Sequence, residues 1–213
     1  LYTFLDALPE KRRGVLVVVG PPGSGRSRFL AESASAARSL DYTALALQPS
    51  RGLQEKPYAA LAEAWNRCAG RPFSFLGLDD LRQSIQGLIR EQKGRGLLIT
   101  VDEPQRLDRP TMELVGQLLA EQPVPLLGVI YGTDLPGAGR LPLEAPLRSS
   151  TELRPLSPDG VRSMVQGLLS WNAPEDLIAW LHRECAGLPA SLLRGLRYLL
   201  EHGVLQPSED GWV

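Results

Sequence analysis

Two hydrophobic patterns divide this chain of 213 residues. Up to about position 154, short continuous apolar runs alternate with stretches whose apolar residues recur every three or four positions; beyond it, only the second pattern continues. The runs at 15–19, 43–47, 97–101 and 126–131 read as strands buried on both faces of a parallel sheet, and 151–154 as a short fifth strand. Helical spacing predicts an opening segment over 1–13 that Pro9 ends, then helices over 26–40, 58–69, 80–93 and 111–121. Pro57 is expected in the first turn of the helix at 58–69, and Asp79 is expected to cap the helix at 80–93. The residues between 132 and 150, rich in Gly and Pro, are expected to form a long connection.

From Ser157 onward the pattern predicts three helices, started by Ser157-Pro158, Pro174 and Pro189 and reaching about 170, 186 and 202. Val204-Leu205-Gln206 and Gly211-Trp212-Val213 flank a turn and read as a terminal β-hairpin, the start of a winged-helix element in one reading. Strands alternating with helices, followed by helices alone, imply an α/β region with a parallel five-stranded sheet over 1–154 and a helical subdomain over 155–213.

Two motifs turn this architecture into candidate chemistry. The run at 15–19 leads into Gly20-Pro21-Pro22-Gly23-Ser24-Gly25-Arg26-Ser27 and then a helix, which is the context a phosphate-binding loop needs. Glycines at 20, 23 and 25 let successive backbone N–H groups point into one concavity, and the helix N-terminus adds its positive end. The candidate nucleotide-contacting set is Gly20, Pro21, Pro22, Gly23, Ser24, Gly25, Arg26, Ser27 and Arg28. Arg26 stands where the motif has lysine; it keeps the charge on a bulkier, forked group. The run at 97–101 ends on Asp102-Glu103. Parallel sheets bind ligands at the carboxyl ends of their strands, so Ser27 and Asp102 are the candidates for holding Mg²⁺. Asp102 and Glu103 form the candidate catalytic pair, with Glu103 as the base that orients a water.

Composition adds limits. Formal net charge is −1, which gives no argument for a nucleic-acid or membrane partner. No apolar run approaches the ~18–20 residues of a membrane-spanning helix. Cys68 and Cys185 lie far apart without metal-ligand spacing, which favours free thiols in a reducing, cytoplasmic setting over a disulfide. The chain has no starting Met, and the expectation is a domain with flanking domains in a longer protein.

With these residues placed, the chain resembles the STAND branch of the AAA+ ATPases, as found in large bacterial transcriptional regulators and beside cyclase or kinase domains. The resemblance rests on the stretch from Gly20 to Ser27, on Pro57-Tyr58-Ala59-Ala60-Leu61, and on Val101-Asp102-Glu103-Pro104-Gln105-Arg106-Leu107-Asp108. It rests also on Leu153-Arg154-Pro155-Leu156-Ser157 and on Gly187-Leu188-Pro189. It implies a P-loop NTPase of AAA+ type with strand order 5-1-4-3-2, a helical lid, ATP or ADP with Mg²⁺ as ligand, and Pro189 against the base or ribose. Three positions depart from the family: Arg26, the segment Gln105-Arg106-Leu107-Asp108, and Gly132, where the family has an arginine that senses the terminal phosphate. The bland reading of Asp108, a cap for the next helix, is preferred. Arg140, Arg148 and Arg154 lie where AAA+ proteins present an arginine to a neighbouring subunit, and homo-oligomerisation is one expectation.

The main expectation is therefore an ATP- or ADP-binding regulatory switch of a signalling or transcriptional regulator, with weak or slow ATP hydrolysis. A degenerate scaffold acting through protein contacts, and a DNA-associated AAA+ ATPase, are the alternatives. Nucleic acid is the less expected partner of this domain alone, given the charge balance.

Overall fold

The structure is a computed structural model that describes residues 1–49, 56–74, 78–121, 124–134, 141, 144–208 and 211–212. It divides into two compact units, one comprising Leu1–Gly20 and Arg26–Glu152, the other Pro21–Gly25 and Leu153–Val213.

The first unit is a parallel sheet of five strands in the order β2-β3-β4-β1-β5, the order expected above. Its strands are β1 (Arg13–Val19), β2 (Tyr42–Leu47), β3 (Gly96–Asp102), β4 (Leu127–Thr133) and β5 (Leu147–Glu152). Helices α1 (Tyr2–Lys11), α2 (Arg26–Ser39), α3 (Ala59–Ala69), α4 (Leu78–Glu91) and α5 (Arg109–Glu121) alternate with them. β1 and β4 bury every interior position, as continuous apolar runs require when both sheet faces are covered. On one face Val15, Val17, Ile99, Val101, Val129 and Tyr131 pack with Leu61 and Trp65 of α3, Ile85 and Leu88 of α4, and Leu114 and Leu118 of α5. The opposite face meets α1 across two glycines: a Cβ at Gly14 would lie 2.7 Å from Leu8, and one at Gly128 would lie 2.9 Å from the same side chain.

Several boundaries differ from the sequence reading. Pro9 does not end α1; it lies inside the helix, which runs to Lys11 and closes on Arg12 in the left-handed region, whose N–H donates to Leu8 O. The packing of Phe4, Leu5 and Leu8 in the core holds the helix together past the hydrogen bond that proline cannot donate. Pro57 is outside α3, whose N-cap is Tyr58 in a left-handed conformation. Asp79 is a first-turn residue of α4 rather than its cap; there its charge still faces the positive helix end. The long connection expected over 132–150 is shorter at both ends, because β4 continues to Thr133 and β5 begins at Leu147. The fifth strand, expected at 151–154, lies instead at Leu147–Glu152: it is an exposed edge strand of sequence Leu-Arg-Ser-Ser-Thr-Glu, whose bounds are set by parallel pairing with β1 from Gly14↔Leu147 to Val19↔Glu152 and not by an apolar pattern.

The second unit has α6 (Pro158–Leu169), α7 (Glu175–Cys185) and α8 (Pro189–Glu201), then the antiparallel pair β6 (Pro207–Ser208) and β7 (Gly211–Trp212). Val161, Val165, Ile178, Leu181, Leu192 and Leu196 form its own core. Ser157 caps α6 by accepting from Gly160 N at 3.2 Å, with Pro158 at the first helical position. Gly187 (φ +66) follows α7 and hydrogen-bonds back through its carbonyl to Leu156 N at 2.8 Å. A Cβ there would meet Leu156 O at 2.4 Å, so this close approach requires glycine. The indole N–H of Trp212 donates to Leu169 O at 3.0 Å and ties the hairpin to α6.

Candidate functional site

β1 and β3 are separated in the sheet by β4, and their carboxyl ends lie at the same edge as the start of α2. This puts Ser27, in the first turn of α2, beside Asp102, the last residue of β3. The Ser27 hydroxyl donates to Asp102 Oδ2 at 2.6 Å. The other carboxylate oxygen, Asp102 Oδ1, is buried and has no hydrogen-bond partner among the described residues. A buried, unpaired carboxylate oxygen is costly and calls for a cation or donor. The hydroxyl and carboxylate are both hard oxygen ligands of the type Mg²⁺ takes, usually while keeping several waters. The pair fits a nucleotide-bound Mg²⁺, and no cluster of three or more acidic, His or Cys side chains suited to a metal occurs among the described residues.

Space beside Asp102 comes from Gly132, its register partner on β4. A Cβ at Gly132 would meet Leu30 Cδ1 at 2.8 Å and Asp102 Oδ1 at 3.5 Å. Thus a side chain at Gly132, where the resemblance leads one to expect an arginine, would have to displace Leu30.

Glu103 follows in an unusual backbone state, φ 44° and ψ 61°, as the N-cap of a 3₁₀ turn at Pro104–Arg106. A left-handed conformation at a non-glycine residue is strained, and it persists only where the surroundings hold it. Glu103 N donates to Gly132 O at 3.1 Å, and the carboxylate is held by two guanidinium groups. Arg106 donates to Glu103 Oε2 at 2.7 Å, and Arg26 lies 4.0 Å from Glu103 Oε1.

Arg26 itself is 8% exposed. Its Nη1 donates to Gly20 O at 2.6 Å, so the residue that ends the glycine-rich loop is bonded to the one that begins it. The guanidinium therefore sits inward, on Gly20 and Glu103. Arg28 points elsewhere: it is largely exposed and paired with Glu32 one turn on. Within the loop, Gly23 (φ +85) and Gly25 (φ +97) have positive φ, which glycine adopts without strain, and Ser24 N donates to Pro21 O. Ser24 is buried, and its hydroxyl has no hydrogen-bond partner among the described residues.

Pro189 occupies the first position of α8 in the second unit, and the next residue, Ala190, donates its N–H to Gly23 O at 3.1 Å. An open cleft beside it is lined by Pro22, Gly23, Ser191, Arg194 and Arg197. The sequence reading passed over these arginines, although their three-residue spacing on a helix begun by Pro189 was available as a signal. It also left Arg106 without a role, because an i, i+3 ion pair across a strand end depends on the 3₁₀ turn that sequence pattern does not reveal.

Asp108 is buried and accepts from Thr111 N at 2.9 Å, Thr111 Oγ1 at 2.8 Å and Tyr58 N at 2.9 Å. It holds the start of α5 and the start of α3, which is the capping role preferred above. Arg148 is exposed at the β5 edge with its Nε on Ala145 O, and Arg140 lies outside the described residues.

No family model matches this sequence, and no curated protein matches it significantly. Solved structures do resemble it. The Aeropyrum pernix ORC2 protein, solved as ADPNP-ADP complexes, superposes with a TM-score of 0.64 at 15% identity, covering 95% of this chain and 61% of that one. Drosophila ORC bound to DNA gives 0.56 at 12% identity, covering 79% and 44%. The Thermotoga maritima RuvB Holliday junction branch migration motor gives 0.53 at 15% identity, covering 91% and 57%. The chain spans roughly half the length of these structures, between 44% and 61%. The likeness reaches the level of the AAA+ fold and gives no support to the narrower STAND assignment, nor to the expectation that nucleic acid is an improbable partner. No helix among the described residues is long and apolar enough to cross a membrane. The parallel sheet in the order β2-β3-β4-β1-β5, with a glycine-rich turn after β1 and an aspartate ending β3, is the fold of the AAA+ P-loop ATPases.

Proposed function

We propose that this chain is a nucleotide-binding domain of AAA+ type that takes ATP or ADP with Mg²⁺, and that it serves a DNA-associated ATPase. The observation that carries the nucleotide reading is the Ser27–Asp102 pair, with Asp102 Oδ1 buried and unpartnered beside it. When bound, Mg²⁺ neutralises charge on the phosphates and orders them for attack. Ser27 and Asp102 would hold the ion, and backbone N–H groups at the start of α2 would bind phosphate oxygens. Glu103 is the group positioned to orient a water and accept its proton.

DNA association is supported by what the similar structures are: one is an ORC bound to DNA and another a Holliday junction motor. The net charge of −1 offers no broad electrostatic attraction, so any DNA contact by this chain is local. The regulatory-switch reading remains the second one. It is favoured by Arg26, whose guanidinium is turned onto Gly20 and Glu103, and by Gly132, which removes a cation; both fit slow turnover better than a fast motor.

The test is a thermal melt with ATP·Mg²⁺, ADP·Mg²⁺ and GTP·Mg²⁺, paired with titration of a fluorescent duplex at low salt with and without nucleotide. A nucleotide at 100 times its dissociation constant stabilises the fold by ~2.7 kcal/mol, a shift of a few degrees for a chain of this size. No shift at millimolar nucleotide would overturn the nucleotide reading. Saturable, salt-sensitive duplex binding is expected under the DNA reading; its absence together with nucleotide binding would leave the switch.

A further inference from the structure

In the first unit the Glu103 carboxylate faces two cations: Arg106 donates to Oε2 at 2.7 Å, and Arg26 Nη2 stands 4.0 Å from Oε1. A base that is to take a proton from water needs a lone pair free and aimed at that water. Here both sides of the carboxylate face guanidinium groups. The two arginines differ in their alternatives. Arg106 is half exposed and pairs with Glu103 from three residues on, across the 3₁₀ turn, so solvent can meet its charge with or without Glu103. Arg26 is buried, and the charge of a buried guanidinium must be met by acceptors. Its acceptors are a neutral carbonyl, Gly20 O at 2.6 Å, and the distant half of the Glu103 carboxylate. A polyphosphate at the start of α2 would offer this guanidinium several negative charges in place of them.

We propose that Arg26 is a latch on Glu103: in the nucleotide-free protein its forked guanidinium spans Gly20 O and Glu103 Oε1, and on nucleotide binding it transfers to the terminal phosphate, leaving Glu103 positioned by Arg106 alone. The fork is what makes this work. Nη1 donates to Gly20 O while Nη2 is turned toward the Glu103 carboxylate at 4.0 Å, whereas a lysine ammonium is a single point charge on a flexible stem. The arginine at the loop's lysine position thereby couples arrival of phosphate to release of the base. Arg26 and Arg106 act through Glu103 and are positioning residues in this scheme.

The proposal rests on the nucleotide reading above, and a double-mutant cycle separates the two. Affinity for ATP·Mg²⁺ and for adenosine is measured by calorimetry on the parent, Glu103→Gln, Arg26→Lys and the double variant, with melts confirming that each is folded. Glu103→Gln keeps size and polarity while removing the charge, and Arg26→Lys keeps the charge while removing the fork. Removing the latch's anchor with Glu103→Gln is expected to tighten ATP·Mg²⁺ about fivefold when Arg26 is present, the scale of a partly screened ion pair. The same change is expected to do little in the Arg26→Lys background, and to leave adenosine binding unaltered in both. Equal tightening in both backgrounds would mean simple charge repulsion and would overturn the latch while leaving the nucleotide site standing. Tightening of adenosine would overturn it too, since no phosphate is present to draw Arg26 away. Absence of nucleotide binding in all four proteins would instead defeat the nucleotide reading and the latch with it.

Discussion

The hydroxyl of Ser27 donates to Asp102 Oδ2 at 2.6 Å across a separation of 75 positions in the chain. The bond joins the first turn of α2 to the end of β3, and it leaves Asp102 Oδ1 buried without a hydrogen-bond partner among the described residues. Such an arrangement trades stability for a binding site, because an uncompensated carboxylate oxygen costs on the order of 1–3 kcal/mol.

Asp102→Asn follows directly. The amide keeps the shape and removes the buried charge, so the ligand-free protein is expected to be as stable as the parent or slightly more stable. The added stability from ATP·Mg²⁺ is expected to shrink sharply, because the metal loses its anionic ligand. Parallel melts with and without nucleotide measure both; a large loss of ligand-free stability would contradict the trade.

Asp108→Ala is expected to show the reverse profile. Three donors, Tyr58 N, Thr111 N and Thr111 Oγ1, lose a buried acceptor. Loss of the cap and of the tie to α3 is expected to cost about 2–4 kcal/mol in chemical denaturation, with nucleotide response per folded molecule retained. Asp108→Asn, which keeps an acceptor oxygen, is expected to recover part of that loss.

Gly187→Ala tests the second unit. The new Cβ would lie 2.4 Å from Leu156 O, a backbone atom that cannot swing aside, and the residue sits at φ +66°. Loss of at least ~3 kcal/mol is expected, and it should appear as selective loss of amide protection in α6 to α8 by hydrogen exchange. Uniform loss over both units would show that they unfold as one.

Alkaline pH tests the buried phenols. Burial raises the Tyr131 phenol far above its ordinary value of 10.0, and burial likewise raises Tyr42, with Arg95 opposing the shift. A phenol whose folded value is raised contributes stability that is complete below pH ~10 and is lost as pH rises further toward the folded value, since the unfolded chain releases the proton first. Stability is therefore expected to fall from about pH 10 upward, and Tyr131→Phe to flatten that fall. An unchanged slope in the variant would assign the loss to other groups.

Much of this protein was legible in its residue order, for local reasons. The continuous apolar runs that became β1 to β4, the three prolines that open the C-terminal helices, and the glycine-rich turn between β1 and α2 each depend on neighbours only a few positions away. The strand order came through resemblance and agrees with the structure.

Tertiary structure decided what local pattern cannot carry. β5 was expected at 151–154, but its residues are polar and exposed, and pairing with β1 sets it at Leu147–Glu152; α1 runs through Pro9 because its apolar face is buried against glycines of β1 and β4. The same holds at the site. The sequence supplied an arginine, a serine and two acids as residue types. The packing of α2 against the sheet set which carboxylate oxygen is left unpaired, and the 3₁₀ turn after β3 brought Arg106 onto Glu103. Residue types are fixed by the chain, whereas the partner each charge finds depends on long-range packing, because burial removes the water that would otherwise satisfy it.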